Sequence, residues 1–320
     1  MRALVTGATG FIGSHLVESL VREAFDVSCL VRNSSSKRYF EGLNIRTVPG
    51  DCRDRSSLVE AVKDVDYVFH LAGLTKACTE EEFSGVNVSG TRNIIQAVAE
   101  NNPGIKRFVH ISSLAAAGPS PQGIPLNEEC QPKPVSLYGR TKLAGELAVY
   151  RYRDRLPVTI IRPPAVYGPR DRDFLVFYKM VRAGIVPYWG KCSYSFIFVD
   201  DLVDGIMLCA RSERAIGEIF NLSDGSVYTT DDIIDAVAGA MQKNPLRLAL
   251  PRFIMPVIGF LAERIKGASI INSDKIREMQ HPHWVCDMNK AAIRLGFEPK
   301  VKMKEGARWT ADWYRIHQWL

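Results

Sequence analysis

The first 165 residues alternate short apolar runs with amphipathic stretches. The runs Ala3–Thr6, Val27–Val31, Ile45–Val48, Tyr67–Leu71, Phe108–Ser112 and Val158–Arg162 are short and bounded by turn residues, which predicts buried strands. Between them, apolar positions at helical spacing predict helices near 11–23, 55–63, 80–101 and 138–153. Strand and helix in alternation build a parallel sheet covered on both faces and joined by right-handed crossovers. The expected fold class is therefore α/β, with a doubly wound parallel sheet.

Beyond residue 165 the rhythm changes. Segments 171–183, 229–241, 251–266 and 304–319 read as helices, with short strands at Phe196–Val199 and Ile219–Leu222. This predicts a smaller, helix-rich C-terminal cap interleaved with the sheet.

Composition narrows the class. Hydrophobic residues make up 46% of the 320, enough to bury a sizeable core. Net charge is 41 − 35 = +6, with Lys and Arg scattered rather than blocked. That argues against nucleic acid and suits a phosphate-bearing small molecule. The seven Cys are odd in number and contain no CxxC pair, and Cys29 and Cys209 lie in apolar runs. This pattern predicts reduced thiols in a cytoplasmic protein. A strand that begins at Arg2 predicts no signal peptide, and no run of 18 apolar residues predicts a membrane span. His15, His70 and His110 have no metal-ligand company, so no metal is expected.

The first strand runs into Thr6-Gly7-Ala8-Thr9-Gly10-Phe11-Ile12-Gly13 and then a helix. Glycines at 7, 10 and 13 permit a tight turn and close backbone approach, and the helix N-terminus can hold a pyrophosphate. This placement predicts a Rossmann-type dinucleotide site. An acid after the second strand would accept the ribose hydroxyls of NAD, but the sequence has Arg32 there, whose planar fork suits a 2′-phosphate. NADP is therefore expected in preference to NAD. Asp51 and Cys52 follow the third strand, where Asp51 is placed to meet the adenine amino group or to cap the helix near Arg55.

Tyr138 and Lys142 stand four apart at the start of a predicted helix, hence on one face. Ser113 follows the strand Phe108–Ser112, at the end of a parallel sheet where ligands bind. Hydride transfer to a ketone needs a proton donor on the oxygen, and a free tyrosine with pKa near about 10 is a poor base at neutral pH. An ammonium about 4 Å away, at an effective dielectric of about 20, would supply roughly 4 kcal/mol, about three pKa units. Ser113, Tyr138 and Lys142 are the candidate catalytic residues.

Together these motifs resemble the extended short-chain dehydrogenase/reductase superfamily, the NAD-dependent epimerase/dehydratase family with a 3β-hydroxysteroid dehydrogenase-like branch. The resemblance runs nearly end to end, through TGATGFIG (6–13), HLAG (70–73), NVSGT (87–91), SS (112–113), YGRTK (138–142), RPPAVYGPRD (162–171) and FIFVDDL (196–202). It implies that Ser113 and Tyr138 contact the reacting oxygen and that Lys142 holds the nicotinamide ribose. It further implies that Phe11 and Ile12 lie under the pyrophosphate, that Leu71, Ala72 and Gly73 line the cofactor cleft, and that Asn87 and Pro164 stand near the nicotinamide. Asn87 also reads as a helix cap. The expected division is a dinucleotide-binding domain at 1–165, to which 196–222 returns, and a substrate-binding cap from 166–195 and 223–320. A homodimer is expected.

The fold does not fix the reaction. The galactose-epimerase type carries Asn where this chain has Ala165, and many nucleotide-sugar enzymes carry Arg where Tyr194 stands; Arg170, Arg172 and Lys191 are the candidates to replace it. The segment 250–261 is strongly apolar. It reads first as a helix packed on the cap, then as one wall of an apolar substrate pocket or a membrane-surface contact. Asp287 is expected to cap the following helix, and Trp309, Trp313, Tyr314 and Trp319 to serve as core or dimer contacts. The preferred reading is an NAD(P)-dependent oxidoreductase acting on an alcohol or ketone carbon of a largely apolar substrate. A nucleotide-sugar 4-epimerase or dehydratase is the alternative, and a non-catalytic, cofactor-binding redox sensor the third.

Overall fold

The computed structural model describes residues 1–77, 79–251 and 273–320. Seven strands form one sheet: β1 Arg2–Thr6, β2 Asp26–Val31, β3 Ile45–Pro49, β4 Tyr67–His70, β5 Arg107–Ile111, β6 Val158–Arg162 and β7 Ile219–Asn221. Their spatial order is β3-β2-β1-β4-β5-β6-β7, and every pair is parallel. The winding direction reverses between β1 and β4, which opens a crevice above their carboxyl ends.

The sheet is buried on both faces because consecutive side chains point oppositely. Val5, Cys29, Phe69, Val109 and Ile161 pack with Leu16 and Leu20 of the helix Phe11–Arg22 and with Leu202 and Ile206 of the helix Val199–Arg211. On the other face, Leu4, Leu30, Val68, Phe108 and Ile160 pack with Ile94, Ile95 and Val98 of the helix Thr91–Asn101. Each such buried aliphatic side chain stabilises the fold by roughly 2 kcal/mol.

A third core joins the helices Asp173–Ala183, Thr230–Met241 and Met303–Ile316 around Tyr167, Tyr178, Phe198, Val237 and Tyr314. Trp313 and Trp319 pack partly buried against it, whereas Trp309 keeps much of its surface exposed. Phe196–Phe198 pairs with Ala165–Tyr167 in a separate two-stranded sheet, while β7 completes the large one. Asp287 accepts the N–H of Asn289, the first residue of the helix Asn289–Leu295.

Two predicted helices are broken. The stretch 55–63 starts as a 3₁₀ turn, Arg55–Leu58, because the Ser57 hydroxyl donates to the Asp51 and Asp54 carbonyls and competes with helical bonding. Its cap is Asp54, which accepts from Ser56 N–H, and not Asp51. The stretch 80–101 passes through a wide π turn at Ser84–Gly90 that carries Asn87. The predicted helix 251–266, and with it nearly all of the apolar segment 250–261, lies outside the described residues. Among the described residues, no helix is long and apolar enough to cross a membrane.

Candidate active site

The turn after β1 is held by close backbone packing. Gly7 has φ +70°, and a Cβ there would lie 2.7 Å from Ala72 N and from the Leu71 carbonyl carbon. A Cβ on Gly13 would lie 2.2 Å from the Gly7 carbonyl oxygen. These two glycines are thus demanded by the chain's own packing, strand end against helix start. The helix Phe11–Arg22 begins at Gly10 with no side-chain cap, which leaves its first-turn N–H groups for an anion. Phe11 sets its ring edge-on to His15, and Ile12 packs against the sheet core.

At the carboxyl ends of β2 and β3, Arg32 is exposed. The Asp51 carboxylate is gripped by Arg53, which holds it below the usual carboxylate range. Burial pushes the Cys52 thiol up to about 12, so it is inert as a nucleophile. Its backbone carbonyl accepts from Asn93.

Past β4, Leu71 and Ala72 pack against the two opposite sheet cores. A Cβ on Gly73 would stand 3.2 Å from Asn87 Oδ1 and 3.7 Å from Lys142 Nζ, which places the three together. Asn87 accepts from Leu74 N–H at 2.8 Å and donates to Leu74 O and to Thr141 Oγ1. It is a clamp between the β4 loop and the helix Leu137–Tyr150 rather than a cap. Beneath it lies a buried relay. Thr91 Oγ1 donates to Asn87 O, so it accepts from His70 Nε2, and His70 Nδ1 accepts from Thr6. Burial, with the Lys142 charge adding, pushes His70 down to about 3, so it stays neutral. His110 stacks on it at 5.3 Å. Among the described residues, no group of three or more His, Cys, Asp or Glu side chains could hold a metal.

Ser113, Tyr138 and Lys142 come together. Ser113 caps the short helix Leu114–Ala117, accepting from Ala115 N–H, and its hydroxyl stands near the Tyr138 phenol. Leu114 N–H donates to Pro163 O, which ties this loop to the end of β6, where Pro164 follows, buried. Lys142 is 5% exposed, donates to Ile111 O at 2.7 Å, and is pushed down to about 8 by burial against the raising effect of Glu146. Tyr138 is pushed up to about 12 by burial, with the nearby Ser113 hydroxyl opposing and the Glu278 charge adding. This corrects the simple picture of a lysine lowering the phenol. The Lys142 ammonium is turned to a carbonyl, and in the free protein the phenol holds its proton at neutral pH.

Four site residues escaped sequence reasoning. Glu146 and Arg162 form a buried bidentate pair one helical turn from Lys142; the i,i+4 spacing to Lys142 was a usable signal. Asp274 and Glu278, on the helix Ser273–Met279, reach the start of the Tyr138 helix, and nothing local in the sequence announces that.

A family model described as the NAD dependent epimerase/dehydratase family matches residues 3–223. The chain belongs to this family. It is an extended short-chain dehydrogenase/reductase and an NAD(P)-dependent enzyme of that superfamily. A ceramide reductase of Caulobacter vibrioides is 31% identical over 99% of this chain and 95% of its own length. A UDP-glucose 4-epimerase of Vibrio cholerae is 28% identical over 97% of this chain and 94% of its own. Among solved structures, MoeE5 in complex with UDP-glucuronic acid and NAD superposes with TM-score 0.79 at 26% identity, covering 99% of this chain and all of that one. The uncapped helix start, the glycine turn and the buried lysine fit the dinucleotide this family uses.

Proposed function

We propose that this protein is an oxidoreductase that moves a hydride between a nicotinamide dinucleotide, NADP in preference to NAD, and an alcohol or ketone carbon of a largely apolar substrate. The bound nicotinamide supplies or accepts the hydride. The first-turn amides of the helix Phe11–Arg22 would hold the pyrophosphate, Arg32 the 2′-phosphate, and Lys142 the nicotinamide ribose. The Ser113 hydroxyl orients the substrate oxygen beside the phenol. Tyr138 gives that oxygen its proton during reduction and takes it back during oxidation.

The observation that carries the substrate class is the setting of Tyr194. Its ring lies against Phe196 at 6.3 Å, and its strand pairs it with Tyr228, so an aromatic wall stands where a phosphate-binding Arg would. Arg170 does not replace that Arg, because it is bound to Ser14 and Glu18. The whole-length likeness to a ceramide reductase supports the same reading. Likeness to a UDP-glucose 4-epimerase supports the second reading, nucleotide-sugar epimerisation. Six free thiols among the described residues, most of them buried, fit a cytoplasmic location.

Alkyl length separates the two readings. With hydroxy and keto compounds of increasing chain length, KM should fall about tenfold for every two methylenes buried. A KM indifferent to chain length would contradict an apolar pocket.

A further inference from the structure

The start of the helix Leu137–Tyr150 is satisfied in an unusual way. Leu137 N–H donates to Asp274 Oδ1 at 2.6 Å and Tyr138 N–H to Asp274 Oδ2 at 3.0 Å. Gly139 N–H donates to Ser136 Oγ, the ordinary N-cap bond, and the Ser136 hydroxyl in turn donates to Glu278 Oε1 at 2.8 Å. Every first-turn amide is thus taken, two of them by a carboxylate 137 and 136 residues away in sequence. Asp274 is 8% exposed, and Glu278 lies four residues on, on the same face of its helix. A helix start carries partial positive charge, so a second, long-range acid there is favoured. Ser136 alone would have sufficed as a cap, so the added carboxylates place an element of the C-terminal half directly on the backbone of Tyr138.

We propose that Asp274 and Glu278 form a carboxylate latch that seats the helix Ser273–Met279 on the catalytic helix and positions Tyr138. The inference rests on the hydride-transfer reading of Tyr138 and adds positioning residues to it. Asp274 fixes the backbone from which the phenol projects. Glu278 sets a negative charge near the phenol and disfavours the phenolate. The groups facing Tyr138 divide clearly. Its own helix brings Lys142, the loop after β5 brings the neutral Ser113, and the segment Glu80–Phe83 brings the Phe83 ring with its three glutamates exposed. The docking helix brings Asp274, Glu278 and Lys275, the last paired with Glu278. Glu278 is the acid among them that raises the phenol, burial being the larger cause. The latch thereby biases the tyrosine toward its protonated, donating form.

The test uses the full chain with carbon-13 at the tyrosine Cζ. The Tyr138 resonance is identified by its loss in Tyr138→Phe and titrated by NMR with saturating NADP⁺, whose positive ring brings the phenol into a range the fold survives. Glu278→Gln keeps an acceptor for Ser136 and removes the charge, so the Tyr138 midpoint should move to lower pH by about half a unit or more. In Asp274→Asn, amide exchange at Leu137 and Tyr138 should rise at least about tenfold with melting temperature and cofactor affinity retained. An unmoved or raised midpoint in Glu278→Gln, or unchanged exchange in Asp274→Asn, overturns the latch. If Asp274→Asn does not fold, Glu278→Gln alone decides. Full activity in Tyr138→Phe would sink the hydride-transfer reading instead, and would leave the titration result standing as a separate fact.

Discussion

Glu146 and Arg162 meet as a bidentate pair, Nε to Oε1 at 2.9 Å and Nη2 to Oε2 at 2.6 Å, each about 2% exposed. The pair joins the helix of Tyr138 and Lys142 to the end of β6, beneath the site. Burial of two charges yields little net stability, but removing one strands the other. Arg162→Met should therefore cost about 3–5 kcal/mol in urea unfolding. The double change Glu146→Leu with Arg162→Met should recover most of that loss, and a single variant as stable as the parent would contradict this account.

Lys142 should leave two opposite pH signatures. Its ammonium is pushed down to about 8 from an ordinary value of 10.5. Cofactor affinity in the free enzyme should weaken as pH rises through about 8, because the charge proposed to hold the ribose is lost. Between about 8 and 10.5 the unfolded chain holds more protons at this lysine than the folded chain. The lysine's contribution to stability therefore rises with pH across that window, as the penalty of a buried charge is relieved. Both trends should vanish in Lys142→Met, compared by fluorescence titration of cofactor and by denaturation at each pH.

Tyr138→Phe should lower kcat by far more than tenfold while cofactor affinity stays within about twofold, since the proposed role of the phenol is confined to the transition state. Retention of more than about a tenth of activity would mean that less than ~1.4 kcal/mol of barrier rests on the hydroxyl. Steady-state kinetics beside cofactor titration would read both quantities.

Arg32 is exposed at the end of β2, free of the burial that marks a core residue. Arg32→Ala should weaken NADP⁺ binding at least about tenfold and leave NAD⁺ binding within about threefold, as expected for a lost charge-assisted phosphate contact. Equal loss for both cofactors in calorimetric titration would remove the 2′-phosphate role.

The sheet was legible because its strands carry near-continuous apolar runs, which burial on both faces requires, and because turn residues punctuate them. The trio Ser113, Tyr138 and Lys142 was legible because an i,i+4 pair and a strand end have fixed geometry in an α/β sheet. The broken helices at 55–62 and 84–90 were not, since the serine back-bonds and the Asn87 clamp that shape them arise from neighbours. Asp274 shows the same limit more strongly. In sequence it is an ordinary acid in a polar stretch, and only the fold brings it to Tyr138 N–H. The direction of the Tyr138 shift also escaped, because the burial of the phenol and the Glu278 charge beside it come only with the fold.

Nicotinamide stoichiometry separates net oxidoreduction of an apolar alcohol or ketone from epimerisation of a nucleotide sugar. Long-chain keto and hydroxy compounds are offered beside UDP-, GDP- and dTDP-sugars, with absorbance of the reduced nicotinamide followed and products identified by mass spectrometry. One equivalent of nicotinamide should be reduced or oxidised per molecule of an apolar product formed. Epimerised nucleotide sugar, formed with nicotinamide absorbance unchanged, would contradict net oxidoreduction.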